Sequence, residues 1–394
     1  MFNFHTVSPV LLLLFGVATP QDGGTTSEQY NLIIEVFNNC SCVHYYQCNN
    51  NTINRNGANL INVRAGGDAG ENKPIVCQGG SFEGEFVCCG AQDTSMTRKS
   101  ADGASSDQLR APEDVATENR METKLACGEQ RTNINPRILI NDSDEIDGNA
   151  VKGEFPWLAA IYRRKGRGRW KFHSSGTLIN PRVIITSNHY YNDGTSPDKY
   201  MVVMNGEVAL SRSVGDAAHQ RKVVEIINHP NYDRDALYYD VALLILDRPF
   251  SSNSTNSINS ICLPPDDADE TTGRCLVAGW GRGSEVAGVP VLKRVEVPLV
   301  GFDRCQDQLR KTRLGGYFEL HKSFVCAGGE KNRDACMGDG GSPLMCYVPG
   351  TSRFYQAGIV AWGIGCGAEN VPGVYASTRF VKGWIDEKLA GRNL

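Results

Sequence analysis

The chain has 394 residues, 41% of them hydrophobic, enough for one large domain with a smaller one. Its formal net charge of −4 argues against nucleic acid as the main partner, and no apolar run reaches the ~18 residues needed to span a bilayer. The 42 glycines imply many turns, as in a β-rich protein.

The first element is an apolar run over residues 10–18 with small residues at Gly16 and Ala18, followed by a polar, glycine-rich stretch. It reads as a signal peptide over 1–18 and predicts secretion, although His5 stands where Lys or Arg is usual. A buried N-terminal helix fits the polar sequel less well. An even count of 14 cysteines outside the cytosol predicts disulfides. Asn50, Asn141 and Asn253 open N-glycosylation triplets.

Six cysteines, Cys40, Cys42, Cys48, Cys77, Cys88 and Cys89, fall within 50 residues. A unit of that size needs covalent staples, and the adjacent Cys88–Cys89 pair is awkward for zinc. Spacing alone leaves 15 pairings open. Residues 90–126 carry no cysteine and little apolar material, so they read as a flexible linker. The run from Cys40-Ser-Cys42 to Cys48, closing on Val87-Cys88-Cys89, resembles the clip domain of arthropod secreted proteases over residues 40–89. That resemblance implies Cys40–Cys88, Cys42–Cys77 and Cys48–Cys89. His44 lies where many relatives have proline and is given no role.

Beyond Cys127 short strands alternate with turns: 183–185, 200–203, 223–227, 241–246 and 295–297. Residues 379–390 have helical spacing, with Phe380, Val381, Trp384, Ile385 and Leu389 apolar. Periodicity therefore predicts an all-β domain closed by a terminal helix. Six motifs follow in one order: Gly153-Glu-Phe-Pro-Trp157, Thr186-Ser-Asn-His189, Asp240-Val-Ala-Leu-Leu, Gly279-Trp-Gly281, Cys336-Met-Gly-Asp339 and Ala361-Trp-Gly363. Together they resemble the trypsin family, and the resemblance implies a trypsin-like double β-barrel over 127–394. It also implies Cys127–Cys262, Cys275–Cys346, Cys305–Cys326 and Cys336–Cys366. A further family pair is missing at both ends, where Ser174 and Tyr190 stand.

Acyl transfer in this family needs a serine nucleophile, a histidine base and an aspartate that orients the imidazole. His189 and Asp240 match the last two. Gly340 occupies the serine position, with Cys336 and Pro343 holding the register on both sides. Ser342, two residues on, is expected to miss the ~2.6–3.2 Å reach that nucleophile and base require. Losing the nucleophile costs roughly 10⁶ in turnover, so the chain is expected not to be an enzyme.

Around this position Asp334 matches the base of a trypsin-like specificity pocket, Gly363 and Gly373 its walls, and Gly338 and Asp339 the oxyanion-hole region. The favoured reading is that these persist because the loop packs one way; the other is a site that captures an Arg or Lys side chain. Ala361 replaces a usual serine. Ile146 follows Asp144-Glu145, which argues against trypsin-like activation cleavage there; Arg131 and Arg137 are the nearby candidates. A pair between Cys127 and Cys262 would keep the clip segment attached after such a cut.

Arg163, Arg164, Lys165, Arg167 and Arg169 form a dense basic hairpin, readable as a solvated turn or as an exosite for acidic proteins. Glu207 resembles one calcium-loop ligand, but the second is missing near residue 217, so no metal and no other cofactor is expected. The resemblance implies a non-catalytic extracellular regulator, cofactor or brake, in the haemolymph cascade that activates prophenoloxidase and drives melanisation. Implied partners are prophenoloxidase, an active clip protease, or other homologues. The competing expectations are an adhesive protein that binds microbial surfaces, and an active protease working through Ser342.

Overall fold

In a computed structural model the described residues are 40–44, 48–49, 52–58, 60–64, 86–90, 126–130, 148–165, 169–204, 210, 219–251, 258–281, 285–286, 289–392 and 394. The signal-peptide call, Cys77, Glu207, Asn50, Asn141, Asn253, Arg131, Arg137 and Arg167 lie outside them. The chain divides into two compact units, Met1–Ile53 with Ile75–Arg98, and Asn54–Pro74 with Lys99–Leu394.

In the smaller unit β1 (Cys40–His44) pairs antiparallel with β5 (Phe86–Gly90), placing Cys42 opposite Cys88 in the backbone register. A second ladder joins β2 (Cys48–Asn49) to β3 (Thr52–Ile53). The cysteine side chains of this unit, and hence its three implied pairings, lie outside the description.

The larger unit contains two closed six-stranded barrels. The first consists of β7 (Leu158–Lys165), β8 (Arg169–Asn180), β9 (Val183–Thr186), β10 (Tyr200–Val203), β11 (Gln220–Asn228) and β12 (Ala242–Leu246). A second ring follows with β13 (Arg274–Gly279), β16 (Lys293–Val300), β17 (Phe324–Gly328), β18 (Pro343–Tyr347), β19 (Phe354–Gly363) and β20 (Pro372–Ser377). The β13–β16 pairing closes it. On its margins β6 (Gly148–Asn149) pairs with β16 and β4 (Asn62–Val63) with β19, while β14 (Glu285–Val286) and β15 (Val289–Pro290) form a separate hairpin.

Strand alternation explains why the apolar run at β12 has no polar face. Ala242, Leu244 and Leu246 point into the first barrel with Trp157, Ile161 and Tyr200. Leu243 and Ile245 point the other way, against Ile359 and Ala376 of the second barrel and against Val381 and Ile385. Those last two belong to helix α2 (Thr378–Leu389), which follows α1 (Phe302–Arg310). The Ser377 hydroxyl accepts from the Phe380 N–H at 3.1 Å, capping α2. Disulfides join Cys127–Cys262, Cys275–Cys346, Cys305–Cys326 and Cys336–Cys366. Among the described residues no helix is long and apolar enough to cross a membrane.

Candidate functional site

His189 stands in a 3-10 turn, Asn188–Tyr190, immediately after β9. Its N–H donates to Asp240 Oδ1 at 2.7 Å, and its Nδ1 lies 2.6 Å from Asp240 Oδ2. Asp240 is fully buried at the mouth of β12, after a turn in which Leu237 and Tyr239 take φ of 57° and 54°. Side chains rarely accept that conformation, so the turn is held by its surroundings. One carboxylate thus fixes both the backbone and the ring of His189, the arrangement of a base with its orienting acid. The free nitrogen, Nε2, is buried and has no hydrogen-bond partner.

Gly340 lies beside that nitrogen: a β-carbon on it would sit 3.0 Å from His189 Nε2. Ser342 is fully buried, and its Oγ also lacks a partner, so the two orphaned atoms do not bond to each other. That hydroxyl faces Gly279, where a β-carbon would meet it at 2.7 Å. The loop keeps its path because Gly338 and Gly341 adopt φ of 92° and 85°. Asp339 turns inward and accepts from the Gly281 N–H at 2.8 Å and the Cys336 N–H at 2.9 Å. Burial pushes its carboxyl above the usual range, and these two bonds oppose the rise. A β-carbon on Gly281 would lie 2.6 Å from the Asp339 Cγ, which accounts for the Gly279-Trp-Gly281 motif.

The Asp334 pocket holds an arginine of this same unit. Arg64 Nη1 and Nη2 donate to Asp334 Oδ1 and Oδ2 at 3.0 and 2.8 Å, and the two side chains are 3% and 5% exposed. Burial pushes the Asp334 carboxyl above the usual range, and the Arg64 charge and hydrogen bonds, with the Gly367 N–H, pull it back. Gly363 and Gly373 keep the channel open: β-carbons there would press on Arg64 Nη2. The Arg64 carbonyl oxygen accepts from the N–H groups of Gly338 at 3.2 Å and Gly340 at 2.9 Å. Tyr190 adds its hydroxyl at 3.4 Å. Sequence reasoning missed Arg64 altogether; nothing distinguishes it from Arg55, the other arginine among the clip cysteines, or points it to Asp334.

Where a cysteine pair is absent, Ser174 Oγ bonds to the Tyr191 hydroxyl at 2.7 Å, and Tyr190, Tyr191 and His173 stack edge to face. Of the basic hairpin, Arg163 pairs with Asp193 at 2.7 Å and Arg164 with Asp198 at 3.5 Å. Arg164 also lies over the Trp170 ring. The Lys165 and Arg169 side chains are outside the described ones, though their backbones pair across β7 and β8.

Comparison with known proteins matches residues 147–385 to the family described as Trypsin, and residues 37–90 to that described as Serine protease Clip domain PPAF-2. The chain is similar to Phenoloxidase-activating factor 2 of Galleria mellonella, 40% identical over 302 residues, 72% of this chain and 97% of the relative. It is 32% identical over 362 residues to Inactive CLIP domain-containing serine protease A28 of Anopheles gambiae, 90% of this chain and 89% of that one. Trypsin-1 of Astacus astacus is 37% identical over 243 residues, 60% of this chain and 96% of the relative.

Proposed function

Since the chain belongs to the trypsin family and carries an N-terminal clip domain, we propose that it is a secreted, non-catalytic protease homologue that regulates the cascade activating prophenoloxidase. The observation that carries this reading is Gly340 beside an orphaned His189 Nε2: a base is held in place with no nucleophile to serve. In this reading Gly340 takes the place of the catalytic serine. The names of relatives support it, since they include both inactive clip proteases and phenoloxidase-activating factors.

The role is exerted in the haemolymph, as cofactor or brake, by contact with prophenoloxidase, an active clip protease or another homologue. Cleavage at Arg131 or Arg137 switches it, and the Lys165–Arg169 end of the basic hairpin contributes to docking. Purified prophenoloxidase and an active clip protease, assayed with the intact and with the cleaved protein, test this. A change in phenoloxidase activity in either direction supports regulation, its sign separating cofactor from brake. No change with either form, together with binding to bacteria, would replace this reading with an adhesive one.

A further inference from the structure

The docked segment runs from Arg55 to Arg64 and is held mainly through its backbone. Asn62–Val63 pairs antiparallel with Trp362–Gly363, and the Arg64 N–H donates to the Ala361 carbonyl at 3.0 Å. Arg313 Nε donates to the Leu60 carbonyl at 2.7 Å, and its Nη2 to Asn62 Oδ1 at 2.6 Å. Further up, the Glu319 N–H donates to the Arg55 carbonyl at 2.8 Å, with an exposed Arg55–Glu319 ion pair beside it. An added strand read by main-chain hydrogen bonds, with one deep side-chain pocket, is a general way of holding an extended peptide. Beyond the arginine, the Asn62 side chain, which accepts from Arg313 and from the Gly365 N–H at 3.2 Å, and the buried Leu60 are its main sequence-dependent contacts.

We propose that residues 55–64 are a built-in peptide ligand, which keeps closed a groove able to take an extended, arginine-bearing segment of another protein. Three features carry this. The Arg64 carbonyl sits between two inward N–H groups, while Gly340 brings no hydroxyl to it, so the segment can stay bound uncut. The Asp334 carboxylate is buried and oriented by the Gly367 N–H at 3.1 Å, ready for whichever guanidinium enters. Arg64 Nε is buried without a partner, so the internal ligand leaves one donor unsatisfied, a cost that weakens its hold on the pocket. The inference needs no role in melanisation, because it concerns occupancy of the groove alone.

The test is a titration of the full chain with p-aminobenzamidine, a fluorescent aryl amidine matching the guanidinium group. The wild type is expected to show at least about tenfold weaker binding than Arg64→Ala, and Arg64→Ala/Asp334→Asn none; tenfold corresponds to about 1.4 kcal/mol. The peptide acetyl-Leu-Ile-Asn-Val-Arg-Ala should compete in Arg64→Ala, and its Arg-to-Glu counterpart should not. Equal binding by wild type and Arg64→Ala would overturn the proposal, as would no binding by a folded Arg64→Ala. Should that variant fail to fold, hydrogen exchange on the wild type decides. Protection of the Arg64 amide like that of β19 supports an occupied groove, and exchange as fast as a free peptide refutes it.

Discussion

Tyr190 brings its ring to 4.4 Å from that of His189 and its hydroxyl to the Arg64 carbonyl. A β-carbon on Gly340 would lie 2.7 Å from the Arg64 carbonyl oxygen and 2.9 Å from Tyr190 Cε2, so restoring a serine there forces both the docked segment and the ring to move. Small displacements at a reacting centre can cost about a hundredfold in rate. In an Arg64→Ala background, Gly340→Ser should therefore react with a fluorophosphonate probe about a hundredfold more slowly than Gly340→Ser/Tyr190→Ala. Equal rates would remove Tyr190 as the obstacle. His173, packed against Tyr190, Tyr191 and Tyr200, is lowered to about 4 by burial, which its hydrogen bond to the Tyr190 carbonyl only partly offsets. The unfolded chain then binds the extra proton first, so this contribution is complete above the ordinary value of 6.5 and is lost as pH falls from 6.5 towards 4. Urea unfolding should show a loss across that window that is smaller in His173→Phe by about 2–3 kcal/mol, since His229 and His321, also lowered by burial, still contribute.

At the level of elements, β12 is apolar on both faces because it lies between the first barrel and a second core formed with β19, β20 and α2. Leu243, fully buried in that second core, should cost about 2–5 kcal/mol as Leu243→Ala, measured by chemical denaturation. A loss below about 1 kcal/mol would mean that the cavity collapses and the barrels are not tightly packed there. The apolar run made this strand legible in the sequence, as period 3.6 did the terminal helix. The helix begins at Thr378 because Ser377 caps it. What the run did not reveal is which face meets which barrel, since an unbroken apolar string has no polar side to orient it.

On the scale of the whole molecule, Cys127 and Cys262 are 135 residues apart and disulfide-bonded. A cut between 131 and 137 should therefore leave one species on a non-reducing gel and two after reduction. Release of the N-terminal piece without reductant would contradict this covalent link. The division of the chain also runs through the clip sequence, with Asn54–Pro74 grouped with the larger unit. Composition gave no sign of that, because residues 54–64 resemble any polar loop between cysteines.

Strand periodicity pointed to the all-β class, and the resemblance to the trypsin family supplied the motif register around His189, Asp240 and Gly340 and a pocket at Asp334 as expectations. The loop motifs are readable because rigid local geometry ties residues to spacing: positive-φ glycines, a disulfide at Cys336, and a carboxylate that leaves no room beside Gly281. What fills that pocket is set by the fold. Arg64 and Asp334 are 270 residues apart, and any of the 40 basic residues would satisfy the carboxylate chemically. The choice among them is made by the backbone of β4 laid along β19, which delivers one arginine to the depth of the pocket.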